Sequence, residues 1–141
     1  MKMPPLVILD TNVLIAGMRS SKGASFRLLE FWQDKQFEIA VSVPLVLEYE
    51  TVLTRQKKEI GLSEADIADF LDYVCSHARH TPIHYLWRPR SRDVADDMVI
   101  ELAVAASAQA IVSFNTKDLQ PAVSLGVKLL SPPEFLNLLT H

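Results

Sequence analysis

"VILDTNVLIA", residues 7–16, decides how the rest of the chain is read. Val7 to Leu9, with Leu6 before them, form a continuous apolar run of the kind that makes a strand buried on both faces. The run ends on a carboxylate, Asp10, with no basic residue beside it. Thr11 and Asn12 follow, and from Val13 the chain is apolar again. An aspartate at a strand-to-helix turn is a natural N-cap, taking the first free N–H groups of the helix. A strand-end acid without a cationic neighbour is equally suited to hold a metal ion. The choice depends on what other segments bring to the same edge.

The bulk numbers set the frame. A chain of 141 residues fits one domain, residues 1–141, and is long enough to bury a proper core. Fourteen Lys and Arg against 17 Asp and Glu give a net charge of -3, which argues against a mainly basic nucleic-acid surface. Local positive charge or a bound metal would still allow one. No apolar run approaches the ~20 residues needed to span a bilayer, and no secretory leader pattern opens the chain. The one cysteine, Cys75, has no internal partner, so a cytoplasmic, reducing compartment is expected.

Outward from the opening stretch, β-like and helical runs alternate. "ASFRLLEFWQDK" (24–35) spaces Phe26, Leu29 and Trp32 as a helix, and "FEIAVS" (37–42) reads as a strand ended by Pro44, which opens a helix over "PLVLEYETVLTRQKK". Gly61 breaks that helix, and Ser63 with Asp66 forms a capping arrangement ahead of "ADIADFLDYVCSHA". "TPIHYLW" (81–87) is a third strand, a polar "RPRSRD" loop follows, and a helix runs from Val94 to Ala108. "AIVSFN" and "VKLLS" (127–131) are the fourth and fifth strands, and Ser131, Pro132 and Glu134 open a last helix. This rhythm predicts a mainly parallel five-stranded sheet between helices, with the working site at the carboxyl ends of the strands. Asp10, Asn115 and Asp118 fall at such ends.

The helix from Val94, "VADDMVIELAVAASA", is apolar almost all round after Asp97, which marks burial on most faces. Asp93, Asp97 and Glu101 recur every four residues along it, and no Lys or Arg lies on the helix to neutralise them. Asp93 or Asp96 suits the N-cap; for Asp97 and Glu101 a shared cation is the better account. Separate segments thus bring acids to one edge of one sheet. Hard oxygen donors without His or Cys select Mg²⁺ or Mn²⁺ over zinc, and such a metal is the equipment of phosphodiester hydrolysis.

"ILDTNVLIAG", "VSVPLVLEYETVL", "RDVADDMVIELAVAASAQAIVSFNTKDL" and "VKLLSPPEFL", in that order and over nearly the whole chain, resemble the PIN domain, and more narrowly the VapC-related toxin components of prokaryotic toxin–antitoxin systems. The resemblance implies a three-layer α/β/α fold, an acidic pocket for Mg²⁺ or Mn²⁺, endoribonuclease activity on RNA, a homodimer and a protein antitoxin. Carried over residue by residue, it makes Asp10 the first acid. A helical wheel leaves Glu48 and Glu50 open on either side of the Leu45/Tyr49/Val52/Leu53 face; the family pattern selects Glu48. Asp97 is the third acid, with Asp96 its near competitor. At the fourth position many members carry Asp where this chain has Asn115, with Asp118 three residues on, so one metal or two is open. Asp10, Glu48 and Asp97 are thereby the expected metal ligands, with Asp118 contributing directly or through water. Asn12, Ser113, Asn115 and Asp96 would orient acids or hold water.

Basic residues Arg55, Lys57, Lys58, Arg88, Arg90 and Arg92 are candidates to track an RNA backbone, and equally suit a solvated helix end and loop. Cys75, His77, His80 and His84 do not match the spacing of a structural zinc site; Cys75 is expected buried in its helix, the first two histidines at the surface. Trp32 and Trp87 could stack on bases, but core or interface packing is the simpler expectation. Two rival classes differ in testable ways. A dehalogenase-type phosphotransferase needs a second Asp where Asn12 stands. A degenerate PIN domain that only binds RNA or protein is favoured by Asn115 and disfavoured by the retained Asp10, Glu48 and Asp97.

Overall fold

In the computed structural model, which describes residues 3–83 and 94–141, Leu6–Leu9 form a four-residue strand, β1, buried along its whole length. It is buried because it is central: β2 (Glu38–Val41) pairs on one side and β4 (Ala110–Val112) on the other. β3 (Arg79–His80) and β5 (Lys128–Leu130) complete a five-stranded sheet of order β3-β2-β1-β4-β5 in which every pair is parallel. Val7 stands opposite Ile39 of β2 and Ala110 of β4, and Leu9 opposite Val112. Continuous apolar burial is what a parallel sheet covered on both faces demands.

Helices α1 (Thr11–Arg19) and α2 (Ala24–Gln33) connect β1 to β2, and α3 (Val43–Ile60) and α4 (Glu64–His77) connect β2 to β3. α5 (Val94–Ala105) precedes β4, and α6 (Pro132–Thr140) follows β5. The strand order runs outward from β1 to β3, then returns past β1 to β4 and β5. In such a sheet the reversal opens a crevice at the strand ends, here between β1 and β4. The PIN-like α/β architecture read from the sequence is the one observed.

Local signals behave as written. Ser63 and Asp66 form a reciprocal capping box on α4, as Ser131 and Glu134 do on α6, and both acids are held below the usual carboxylate range by those bonds. Gly61 ends α3 at φ +85°, a conformation that costs a side chain and not glycine. Gly17, buried on α1, lets α2 approach: a Cβ there would lie 2.6 Å from Leu29 Cδ1 and 3.2 Å from the Ser25 carbonyl.

Two expectations need correction, the third strand and Cys75. The third strand is Arg79–His80, ahead of the expected 81–87; residues 81–83 are irregular and 84–87 lie outside the described residues. It is a two-residue edge strand, pinned to β2 by Arg79 on Glu38 at 3.0 Å, and so short a strand leaves little pattern to read. After β4 a ten-residue 3₁₀ helix, Thr116–Leu125, carries Pro121 inside it. Cys75 is exposed, because α4 buries Ile67, Leu71 and Val74 instead. The segment expected as a helix over 24–35 is one, α2, whose buried face is Ser25, Leu28 and Trp32, with Phe26 and Leu29 half-buried. Among the described residues no helix is long and apolar enough to cross a membrane.

Candidate active site

Asp10 occupies the end of β1 and caps α1. Its Oδ1 accepts the Thr11 N–H at 2.9 Å, and its own N–H donates to the Val112 carbonyl at 3.0 Å, fixing it against β4. Ser113, the residue after β4, donates its hydroxyl to Asp10 Oδ2 at 2.7 Å. The same Ser113 oxygen accepts from Asn12 Nδ2 at 3.2 Å and from the Asn115 N–H at 2.9 Å. A hydroxyl has one proton to give and two lone pairs. With both lone pairs taken, the Ser113 proton has one destination, the Asp10 carboxylate. Asp10 is thus not the unpartnered acid that the strand-end reading suggests. Among the described residues no ion pair reaches it, but hydrogen bonds do.

Burial dominates its electrostatics. Asp10 is only 9% exposed, and desolvation raises its pKa above the ordinary value, while the bonds from Ser113 and Thr11 pull it back in part. Tyr49, wholly buried on α3, donates to the Leu9 carbonyl at 2.6 Å, one residue before Asp10. Burial, then the nearby Asp10 and Glu48 charges, hold its phenol well above its usual pKa, so it stays protonated as a donor.

Thr11 joins two acids. Its N–H serves Asp10, and its hydroxyl donates to Glu48 Oε2 at 2.6 Å, bringing α3 to the start of α1. From there the two helices line a cavity of about 410 Å³. Asn12, Ile15, Ala16 and Arg19 face it from α1, at helical spacing; Glu48, Val52 and Gln56 face it from α3. Asp10, Thr11, Asn115, Ala95 and Asp96 complete the wall.

The structure therefore brings Asp10, Asn12, Glu48, Asp96 and Asn115 to one cavity. Glu50 is exposed and stands off the wall, so the helical ambiguity at "LEYE" resolves with Glu48 facing inward. Asp97 is buried, 5% exposed, on the same turn of α5, with Asp96 rather than Asp97 on the wall; Glu101 is half-buried one turn further. Asp118 is exposed and off the wall, and its carboxylate accepts from Asn115 Nδ2 at 2.8 Å. Lys57 is paired with Glu64 at 3.0 Å, and neither it nor Lys58 faces the cavity. Arg88, Arg90, Arg92, Asp93 and Trp87 lie outside the described residues. Trp32 is buried and packs edge-on to Tyr73. His77 and His80 are exposed, with ring nitrogens on the carbonyls of Tyr73 and Cys75.

Thr11, Arg19, Gln56 and Tyr49 were missed as site residues. The spacing Asn12–Arg19 on α1 and Glu48–Gln56 on α3 carries the signal, but only once the two helices are known to face each other.

Among the described residues no three Asp, Glu, His or Cys side chains close into a ready-made ligand sphere. The donor chemistry nonetheless suits a hard divalent cation: carboxylate and amide oxygens, and one carboxylate whose burial penalises its bare charge.

Residues 6–117 match the PIN domain family, and the chain belongs to it. The match takes in Asp10, Glu48, Asp96, Asp97 and Asn115 and stops one residue before Asp118. Among solved structures, a chain in the crystal structure of VapBC2 from Rickettsia felis, bound to a DNA fragment from their promoter, shares the fold with a TM-score of 0.60. The two are 17% identical over 89% of this chain and 98% of that one. No curated protein matches the chain.

Proposed function

We propose that this protein is a metal-dependent endoribonuclease, the toxin of a toxin–antitoxin pair, hydrolysing RNA phosphodiester bonds. The observation that carries the reading is the meeting of Asp10, Glu48, Asp96 and Asn115 on one cavity at the reversal point of the sheet, in a PIN-family chain. Asp10 and Glu48 would hold Mg²⁺ or Mn²⁺ with an acid from the first turn of α5, Asp97 by the family pattern with Asp96 beside it. The bound cation would supply a nucleophilic water at neutral pH and offset charge building on the phosphate oxygens.

The chain's own residues do the rest. Ser113 fixes Asp10 in one orientation, and Thr11 sets the spacing between Asp10 and Glu48. A carboxylate on the wall accepts the proton of the attacking water. Asn115 offers an amide oxygen where an acid would add charge, and Asp118 acts through it. The likeness to a VapBC2 chain supports an antitoxin protein as partner. That the partner covers this cavity, that the complex is cytoplasmic and that the toxin is a homodimer belong to the same proposal and rest on the family resemblance.

The test is cleavage of a mixed pool of single-stranded and transfer RNAs with Mn²⁺, Mg²⁺ or EDTA, beside Asp10→Asn, Glu48→Gln, Asp96→Asn and Asp97→Asn. Metal-dependent cutting lost in Asp10→Asn and Glu48→Gln supports the reading, and the α5 pair shows which acid serves. A folded, metal-loaded protein that binds RNA without cutting it is instead the degenerate binding module that Asn115 favours.

A further inference from the structure

The cavity that carries the acids also carries a guanidinium. Among its described wall residues Arg19 is the one cation, set at the last turn of α1. Seven residues separate it from Asn12, about 10 Å of helix. The cavity therefore has an acidic end, at Asp10, Glu48 and Asp96, and a basic end. An acidic cleft repels a polyanion. A strand with one phosphate among the acids needs positive charge where its next phosphates run.

Arg19 is held there by solvated contacts to α3 that cost little to give up. Its Nη2 donates to Gln56 Oε1 and lies 3.7 Å from Glu59 Oε2, both on α3. Both contacts use Nη2, so Nε–H and the Nη1 protons are not engaged in them, and a two-toothed edge opens when Nη2 leaves Glu59 and Gln56. The pair is solvated, with side chains 53% and 74% exposed, and an exposed pair of this kind contributes little to stability. A guanidinium fork matches two phosphate oxygens, which an amide or hydroxyl does not.

We infer that Arg19 binds a backbone phosphate of the single-stranded RNA, flanking the scissile one, and that Glu59 competes for it. The inference rests on the RNA-cleaving reading above and names the strand's path from the acids along α1. Arg19 contacts substrate through the backbone, so it sets affinity and register and reads no base.

The experiment is fluorescence anisotropy of a short labelled single-stranded RNA of mixed sequence, titrated with full-length protein in EDTA over a range of NaCl concentrations. Arg19→Gln is expected to weaken binding roughly tenfold and to flatten the slope of log K against log salt by about 0.7. Arg19→Lys should restore the slope but only part of the affinity. Glu59→Gln should tighten binding, and should do so far less in the Arg19→Gln background. A urea melt of each variant confirms that it is folded. Wild-type affinity and slope in folded Arg19→Gln overturn the inference and leave RNA binding standing. A wild type that binds no RNA at any salt, in EDTA or with Ca²⁺ in its place, overturns both.

Discussion

The Ser113 hydroxyl and the Asp10 carboxylate meet at 2.7 Å across the junction of β4 and β1, joining residues 103 positions apart in sequence. Removing the hydroxyl deprives a buried carboxylate of one of its two donors among the described residues and leaves Asn12 Nδ2 and the Asn115 N–H without this acceptor. Ser113→Ala is expected to cost about 1–3 kcal/mol in urea unfolding. It should also raise the Asp10 pKa further and lower metal affinity, read by isothermal titration with Mn²⁺. Ser113→Thr keeps the hydroxyl and should lose little of either.

Asp10 itself is a liability to the metal-free fold. Its folded pKa lies above the ordinary 3.8, so the folded state binds this proton more tightly than the unfolded chain does. Its contribution is therefore fully present below 3.8 and is lost as pH rises through the raised value. In EDTA, Asp10→Asn, which keeps a good N-cap, should match the wild type in acid and melt a few degrees higher at neutral pH. Added Mn²⁺ should reverse the order by stabilising only the wild type. Parallel melting curves at every pH in EDTA would contradict this.

Tyr49→Phe removes the 2.6 Å bond to the Leu9 carbonyl while keeping the ring. The expected loss is about 1–2 kcal/mol of stability. Because Leu9 precedes Asp10, the turnover rate on RNA should fall while RNA affinity in EDTA stays unchanged. A change in affinity alone would assign Tyr49 a different part.

Asn115→Asp turns the amide that donates to Asp118 at 2.8 Å into a second carboxylate facing it. In EDTA the variant should be less stable than wild type, by about 1 kcal/mol for two like charges near a wet surface. Its melting temperature should rise more steeply with Mn²⁺ than the wild type's. If Mn²⁺ raises both by the same amount, position 115 takes no part in holding metal.

How much of this was legible follows from the range of each signal. β1 and its terminal Asp10, the Ser63 and Ser131 capping boxes and the Gly61 stop are local patterns, and each appears where the spacing puts it. The choice of Glu48 over Glu50 is not local. Both flank one apolar face, and only the approach of Thr11 from α1 turns Glu48 inward. The same holds on α5, where Asp96 reaches the wall and Asp97 is buried, because neighbouring residues differ by a helical rotation that sequence does not register against the sheet. Arg19 and Gln56 escaped notice because nothing near either one in sequence marks it; only the α1–α3 pairing does. The exposure of Cys75 is not legible from its own apolar character, because Leu71 and Val74 take the buried positions of α4.

The closure of the site by Ser113 has a bearing on synthesis. Asp10 leaves the ribosome first, and the hydroxyl that orients it follows 103 residues later. At ~5–20 residues per second that is a delay of roughly 5–20 s. Until β4 has emerged and paired with β1, a nascent chain holds its first acid without the geometry to use it. The geometry around Asp10 is therefore completed late in synthesis, by a segment from the last third of the chain.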